Sequence, residues 1–155
     1  MYNQLIKKIT MSFLMIFSLF ITSCETSEEG NYIQWGSDNE TATELIMRGM
    51  FHYYNVEWDM ALSYFKAAVD YDSTSFGSYV MLAWMTPEGD LQDEYIAKAK
   101  KYVQGKNETS NLFVSLFDIP GGEGVRERRH VVWSKMHELE PRGNFIHYYY
   151  AWTKP

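Results

Sequence analysis

Residues 45–73 read LIMRGMFHYYNVEWDMALSYFKAAVDYDS, and this stretch decides the fold. Apolar and small residues recur in it at spacings of three and four, which places them on one face of a helix. The recurrence is interrupted at Asn55-Val56-Glu57 and resumes at Ala61. The pattern therefore predicts two helices joined by a short connection, with Gly49 and Ala61 allowing a close crossing and Phe65 filling the space beside them.

The same register recurs every 34 residues without insertion or deletion. Three of its columns are Leu45, Tyr79, Phe113 and His147; Gly49, Ala83, Phe117 and Ala151; and Phe65, Ala99 and Trp133. A fixed period of this length is typical of stacked helical pairs. We therefore expect an all-α chain, with helices near 42–55, 58–71, 76–86, 90–104, 108–118, 124–139 and 143–152.

The run Leu45-x₂-Arg48-Gly49-x₂-His52, followed by Ala61-x₃-Phe65, resembles the tetratricopeptide repeat (TPR), a 34-residue helix–turn–helix unit. The chain departs from the TPR pattern at Arg48, His52 and Ser73, where Leu, Tyr and Pro are usual. The resemblance implies an all-α TPR-like helical-hairpin solenoid of about three and a half repeats over residues 42–155. It also implies that the first helix of each hairpin forms the inner face.

The last unit supplies a single helix, and that helix is unusually aromatic. It carries Phe145, Tyr148, Tyr149, Tyr150 and Trp152. A repeat array normally ends in a polar helix that covers its last apolar face. Two expectations follow: either the chain is a truncated piece of a longer array, or this helix docks on a partner or on a second copy.

The first 23 residues have the pattern of a secretory signal peptide. Lys7 and Lys8 precede an apolar run over residues 11–21, which is too short to span a bilayer. Ile21-Thr22-Ser23-Cys24 resembles the lipobox of bacterial lipoproteins, which implies cleavage before Cys24 and lipid on its thiol. Cys24 is the only cysteine of the chain. The alternatives are a signal peptide with a chance cysteine and an uncleaved anchor.

Residues 24–41 are mostly polar and are expected to form a flexible tether. Their only large apolar side chains are Tyr32, Ile33 and Trp35. The acidic residues just after Cys24 resemble the surface-export signal of lipoproteins in Bacteroidota, and a solvated linker is the alternative. The predicted location is the bacterial cell envelope, with a lipid anchor in the outer membrane and surface exposure where the export signal applies.

Composition and motifs argue against several functional classes. The chain has 14 Lys and Arg against 20 Asp and Glu, which disfavours nucleic acid as a partner. One cysteine excludes a disulfide framework and any multi-cysteine metal site. The sequence has no G-x-S-x-G, P-loop or H-E-x-x-H motif, and His130 and His137 lie about 10.5 Å apart along one helix. We therefore expect no catalytic residues, no metal and no cofactor.

The expected inner face offers a candidate groove for a ligand. Its candidate residues are Met50, Tyr53, Tyr54, Trp84, Asp118, Tyr148 and Trp152, with Ile46, Val80, Val114 and Phe145 beside them. The alternative for each aromatic residue is a place in the core. A groove of this kind predicts a non-catalytic module that binds an unidentified protein or peptide. A glycan- or nutrient-binding lipoprotein is the alternative, because flat aromatic rings also stack on sugars.

Overall fold

The computed structural model describes residues 31–155. The predicted signal peptide, the lipidated Cys24 and the first part of the tether lie outside the described residues. Within 31–155 the chain is helical and contains no strand. None of the helices in this part combines the length and the apolar character needed to cross a membrane.

Seven α-helices follow one another along the described chain. They are α1 (Glu40–Tyr54), α2 (Trp58–Tyr71), α3 (Phe76–Met85), α4 (Asp90–Tyr102), α5 (Glu108–Ser115), α6 (Val125–Leu139) and α7 (Asn144–Thr153), with a 3₁₀ turn at Leu116–Asp118 after α5. Each corresponds to one predicted helix, so the expected all-α class is confirmed. The ends differ by up to three residues, mainly because the predicted fifth helix finishes as the 3₁₀ turn.

Helices that are neighbours in the sequence are neighbours in space. The most extensive contacts join α1 to α2, α3 to α4 and α6 to α7, and α2 also packs on α3. In the first pair, a methyl group placed on Gly49 would lie 2.7 Å from the Phe65 ring, so the glycine gives room to that ring rather than to Ala61. Close packing of this kind is what the spacing in residues 45–73 predicted.

Most columns of the 34-residue register lie in the hydrophobic core. Side chains from three successive units are buried there: Ala61, Phe65 and Ala68; Tyr79, Leu82, Ala83 and Ala99; and Phe113, Leu116, Trp133 and Met136. The polar members of the same columns, Arg48 and His147, remain outside the core. The register therefore marks residues on the buried face of α2 to α6, whereas in α7 its members His147 and Ala151 are exposed and Phe145 and Ile146 are buried.

The first helix begins at Glu40, two residues before its predicted start at 42. Its N-cap is Asn39, whose side chain accepts the Ala42 N–H at 3.0 Å. Thr41 lies inside the first turn, and Glu44 pairs with Arg48. In α4 the cap is Gly89, because Asp90 is already the first helical residue.

The described part of the expected tether is packed against the helices instead of extending freely into solvent. In the N-terminal segment, residues 31–37, Ile33 is only 4% exposed. The Trp35 ring meets the edges of Phe113 and Phe145, with ring centroids 5.7 and 5.4 Å apart. The expectation of a flexible stretch is thus wrong over this segment, because its few apolar side chains find partners far away in the sequence.

Much of the aromatic surface of α7 is covered by contacts with α6. Its Tyr149 stacks on Trp133 of α6 at 4.9 Å, and Tyr150 stacks on His137 at 4.4 Å. Arg126 donates hydrogen bonds to the carbonyl oxygens of Trp152 and Lys154, which satisfies acceptors that a helix end leaves free. The strongly exposed aromatic residues of this helix are Tyr148 and Trp152, one turn apart.

Candidate functional site

Aromatic side chains of the inner face converge on one another from distant parts of the chain. This aromatic cluster consists of Tyr53, Trp84, Phe113, Trp133, Phe145 and Tyr149. It brings α1 to α7, since the Tyr53 and Phe145 ring centroids lie 5.8 Å apart. Because the first and last helices meet in this way, much of the expected open groove is filled by side chains.

The centre of the cluster holds a small hydrogen-bonded network. The hydroxyl groups of Tyr53 and Tyr149 are hydrogen bonded to each other, and the Trp84 Nε1–H lies 3.1 Å from both oxygens. The polar atoms of three large side chains are therefore satisfied without water. Burial raises the pKa of Tyr53 far above its usual value, and the hydrogen bond with Tyr149 raises it further. This phenol is neutral at physiological pH.

One side of the cluster opens into two adjoining cavities, which we call the aromatic cleft. The larger, of about 340 Å³, is lined by Tyr53, Tyr54, Val56, Trp58, Asn144, Phe145, Tyr148 and Tyr149. The smaller, of about 270 Å³, is lined by Tyr53, Trp58, Leu62, Trp84 and Met85. Tyr53 and Trp58 belong to both linings, so they stand between the two cavities.

Aromatic rings at the rim of the cleft are accessible to a ligand. Tyr54, Trp58 and Tyr148 are 51%, 48% and 61% exposed. Among the described residues that line the two cavities, none carries a formal charge at neutral pH, and Asn144 supplies the one side-chain amide. The cleft is thus suited to an uncharged, largely apolar or aromatic group rather than to an ion.

The wall formed by Val56 has a strained backbone. Val56 has φ 64°, a left-handed conformation that is rare for a β-branched residue. The Val56 N–H bonds to the Tyr53 carbonyl and the Glu57 N–H to the His52 carbonyl, the two bonds of a Schellman motif. Glycine normally occupies this position, so a valine is held here at a cost, on the wall of the cleft.

The structure places four of the seven predicted groove residues at the cleft. Tyr53, Tyr54 and Tyr148 line the larger cavity, and Trp84 lines the smaller one. All four also take part in the aromatic packing around the cluster. Each of the four rings therefore packs against another aromatic side chain and also lines the cleft, and Tyr54 and Tyr148 are the more exposed of the four.

The other three predicted groove residues lie elsewhere. Met50 is buried in the hydrophobic core. Asp118 lies in the 3₁₀ turn after α5 and pairs with Lys100 outside the cleft. Trp152 is exposed on α7, but it lies one turn beyond Tyr148 and lines neither cavity. Asp118 is the one charged side chain among the seven predicted groove residues. Because it lies outside the cleft, the lining of the cleft is uncharged.

Several lining residues were missed by the sequence analysis. Val56 and Trp58 flank the first turn, and Asn144 and Tyr149 belong to α7. The one local signal for the first two was the presence of large apolar side chains in and beside a turn, where polar residues are usual. No local signal pointed to Tyr149, because its neighbour Tyr53 is 96 positions away in the sequence.

Two of the described histidines, His52 and His130, have partners outside the cleft. His52 pairs with Glu57 and stacks on Tyr64, and His130 bonds to the Thr153 hydroxyl at 3.1 Å. Within residues 31–155, no group of three or more His, Cys, Asp or Glu side chains is arranged to hold a metal ion. The chemistry that the cleft offers is aromatic contact and hydrogen bonding.

Comparison with known proteins gives no further assignment: no protein family, no curated protein and no solved structure matches this chain. The residues of the cleft and the sequence resemblances therefore carry the functional assignment. A fold alone would not decide it, since unrelated functions share the same helical architectures.

Proposed function

We propose that the chain is a lipid-anchored, TPR-like interaction module of the bacterial cell envelope, and that it binds a segment of another protein without catalysing a reaction. The observation that carries this proposal is the open, uncharged cavity of about 340 Å³ with Tyr54, Trp58 and Tyr148 exposed around it. Exposed aromatic rings in a group are typical of interaction surfaces.

The accessible area is large enough for useful affinity. An aromatic side chain can bury about 150–250 Å², so covering the exposed half of three rings removes about 300 Å² from water. At about 25 cal/mol per Å², the gross gain is about 7 kcal/mol. Association itself costs several kcal/mol, so these rings alone support weak binding, and a tighter complex needs backbone hydrogen bonds as well.

The polar content of the cleft favours a peptide over a sugar. Sugars present many hydroxyl groups, and burying them without hydrogen-bond partners is unfavourable. The lining supplies one amide, at Asn144, and the hydroxyls of its tyrosines. A glycan- or nutrient-binding role is kept as the second candidate, because the exposed faces of Trp58 and Tyr148 are flat platforms of the kind on which sugar rings stack.

The proposal includes a lipid anchor on Cys24, suggested by the lipobox resemblance, with the module at the outer membrane. Self-association through α7 is a competing use of the exposed Tyr148 and Trp152. Sedimentation velocity over a range of concentrations separates the two uses. We expect Trp152→Ser to weaken any self-association and to leave ligand binding at the cleft unchanged, because Trp152 lines neither cavity.

The proposal is tested with residues 24–155 prepared without lipid. The protein is applied to an array of overlapping peptides from envelope proteins and to an array of bacterial glycans. We expect peptides rich in apolar side chains to be retained, and Trp58→Ala to abolish their retention. The matched control is Trp152→Ala, an exposed tryptophan outside the cleft, which should bind as the wild type does.

Three outcomes would contradict the proposal. Binding to glycans but not to peptides would establish the second candidate. Peptide binding that survives Trp58→Ala would place the ligand outside the cleft. A chemical reaction of any retained ligand, with residues of the cleft required for it, would show that the module is an enzyme.

A further inference from the structure

The N-terminal segment crosses the inner face from one repeat unit to the next. Ser37 is hydrogen bonded to the Asp72 carboxylate beside the first unit. The Trp35 carbonyl lies over Gly77 of the second unit, and the Gln34 N–H donates to the Ser110 hydroxyl of the third at 2.9 Å. Residues 31–37 thus cross α3 and α5, with one tight turn in which the Trp35 N–H donates to the Ile33 carbonyl at 2.9 Å.

Alternate side chains of this segment point in opposite directions. Ile33 is buried and Trp35 is half-buried, whereas Tyr32 and Gln34 are exposed. The segment therefore presents the side chains of Ile33 and Trp35 to the helices and those of Tyr32 and Gln34 to solvent. The helices bind its backbone through side chains, since the Asn107 amide donates to the Tyr32 carbonyl at 2.6 Å.

Gly77 makes room for the segment. A methyl group at this position would overlap the Trp35 carbonyl oxygen and lie 2.8 Å from its carbonyl carbon. Gly77 lies within α3 with ordinary helical geometry, so its own helix does not require a glycine. The lack of a side chain at Gly77 therefore leaves space for the N-terminal segment that lies above it. We call the surface that the segment contacts the inner channel; it is formed by Gly77, Asn107, Ser110, Phe113 and Phe145.

We propose that the inner channel is a polypeptide-binding site that residues 31–37 fill in cis. Its ligand is a partner segment that displaces them and carries an aliphatic residue, an aromatic residue two positions later, and then glycine. Ile33, Trp35 and Gly36 have this pattern and are seated there. The inference goes beyond the proposed function, because the inner channel and the aromatic cleft are different surfaces that share Phe145.

Displacement by a partner requires residues 31–37 to leave together. Gly36 separates Trp35 from Ser37, and the nearest side-chain atoms to an added methyl group there are 3.8 Å away. Release would free seven residues, which span about 25 Å when fully extended. For a chain anchored at Cys24, displacement by a partner would therefore lengthen the reach from the membrane to the helices.

The test uses residues 24–155 carrying Ile33→Ser and Trp35→Ser, so that the segment in cis no longer competes. The probe is a fluorescent synthetic peptide with the sequence of residues 31–38, followed by anisotropy. We expect saturable binding, and Gly77→Ala in the same host should weaken it about tenfold or more. Gly121→Ala is the matched control, because an added methyl group there meets nothing within 4 Å.

Hydrogen exchange on the otherwise wild-type chain provides a second measurement if that host does not fold. Gly77→Ala should accelerate exchange over residues 31–37 about tenfold or more and leave α2 and α6 unchanged. Equal peptide affinity for the host with and without Gly77→Ala, or an unchanged exchange rate, would overturn the proposal. Dimerisation of the wild type through swapped segments would also overturn it, by making a second copy the ligand. Trp58→Ala should not affect this peptide, which separates failure here from failure at the cleft.

Discussion

Replacing Val56 by asparagine should stabilise the protein and weaken ligand binding at the cleft. Val56 closes α1 in the left-handed conformation, with φ 64°. That conformation costs an L-residue about 1–2 kcal/mol, and asparagine tolerates it better than a β-branched residue does. The Val56 side chain is 64% exposed, so its replacement forfeits little buried apolar area. The expected net gain in the free energy of unfolding is about 1 kcal/mol.

Urea denaturation and thermal melting of residues 24–155 measure this gain. For a domain of this size, about 1 kcal/mol should raise the melting temperature by about 3–5 °C. The matched control is Val131→Asn, the same chemical change at a side chain that is 69% exposed on α6. Valine and asparagine have similar helix propensities, so the control should change stability by less than about 0.5 kcal/mol.

Ligand binding at the cleft should become weaker, although Val56→Asn makes the protein more stable. Asparagine replaces an apolar part of the wall by an amide, so an apolar ligand should bind less tightly to Val56→Asn than to the wild type. An equal loss of stability in Val56→Asn and Val131→Asn would refute the reasoning about backbone strain. Tighter or unchanged ligand binding would show that Val56 is not part of the contact surface.

Three further predictions follow from other parts of the molecule. Gly49→Ala should destabilise the wild type, because a methyl group there would lie 2.7 Å from the Phe65 ring. In a Phe65→Leu background the same change should stabilise the protein, because alanine gains about 1 kcal/mol of helix propensity over glycine. Urea titrations with and without Gly49→Ala in each background check that the change in stability reverses its sign. The raised pKa of Tyr53 means that the fold favours the protonated phenol, so stability should fall as the pH rises above about 10, and less steeply in Tyr53→Phe. A slope that Tyr53→Phe leaves unaltered would assign the effect to the other tyrosines with raised pKa values, Tyr54, Tyr79 and Tyr95. Cys24→Ala should accumulate unprocessed precursor and abolish labelling by a fatty-acid probe in cells, and labelling that persists would contradict the lipobox assignment.

The helices could be predicted because their signals are local and repeated. Spacings of three and four define one buried face, and the 34-residue register tests each helix against its counterparts. The buried Phe65, Phe113 and Trp133 follow from that register directly. The exact cap of α1 did not follow, because Asn39 and Thr41 are both good caps and lie two residues apart.

The packed segment and half of the cleft could not be predicted because they depend on contacts between distant parts of the chain. Gln34 meets Ser110 across 76 positions, and Tyr53 meets Tyr149 across 96. A helical pattern shows which residues share a face, but it does not show how strongly a stack of helices curves. Here α1 and α7 come together through Tyr53 and Phe145, and Tyr54 is left at an open rim beside them.

Phe145 provides a physical route by which the two proposed sites would influence each other. Its ring contacts Trp35 of the N-terminal segment and also lines the larger cavity of the cleft. If a cleft ligand favours one position of this ring, it changes the stability of the segment in the inner channel. Thermodynamic linkage then requires that release of the segment change the affinity of the cleft ligand by the same factor. The affinity of a cleft ligand for the chain carrying Ile33→Ser and Trp35→Ser, in which the segment no longer occupies the inner channel, should therefore differ from its wild-type value by the factor by which saturating ligand changes the opening equilibrium of residues 31–37 in hydrogen exchange. Unequal factors would show that the two surfaces do not act through one shared equilibrium, and identical affinities with unchanged exchange would show that they are independent.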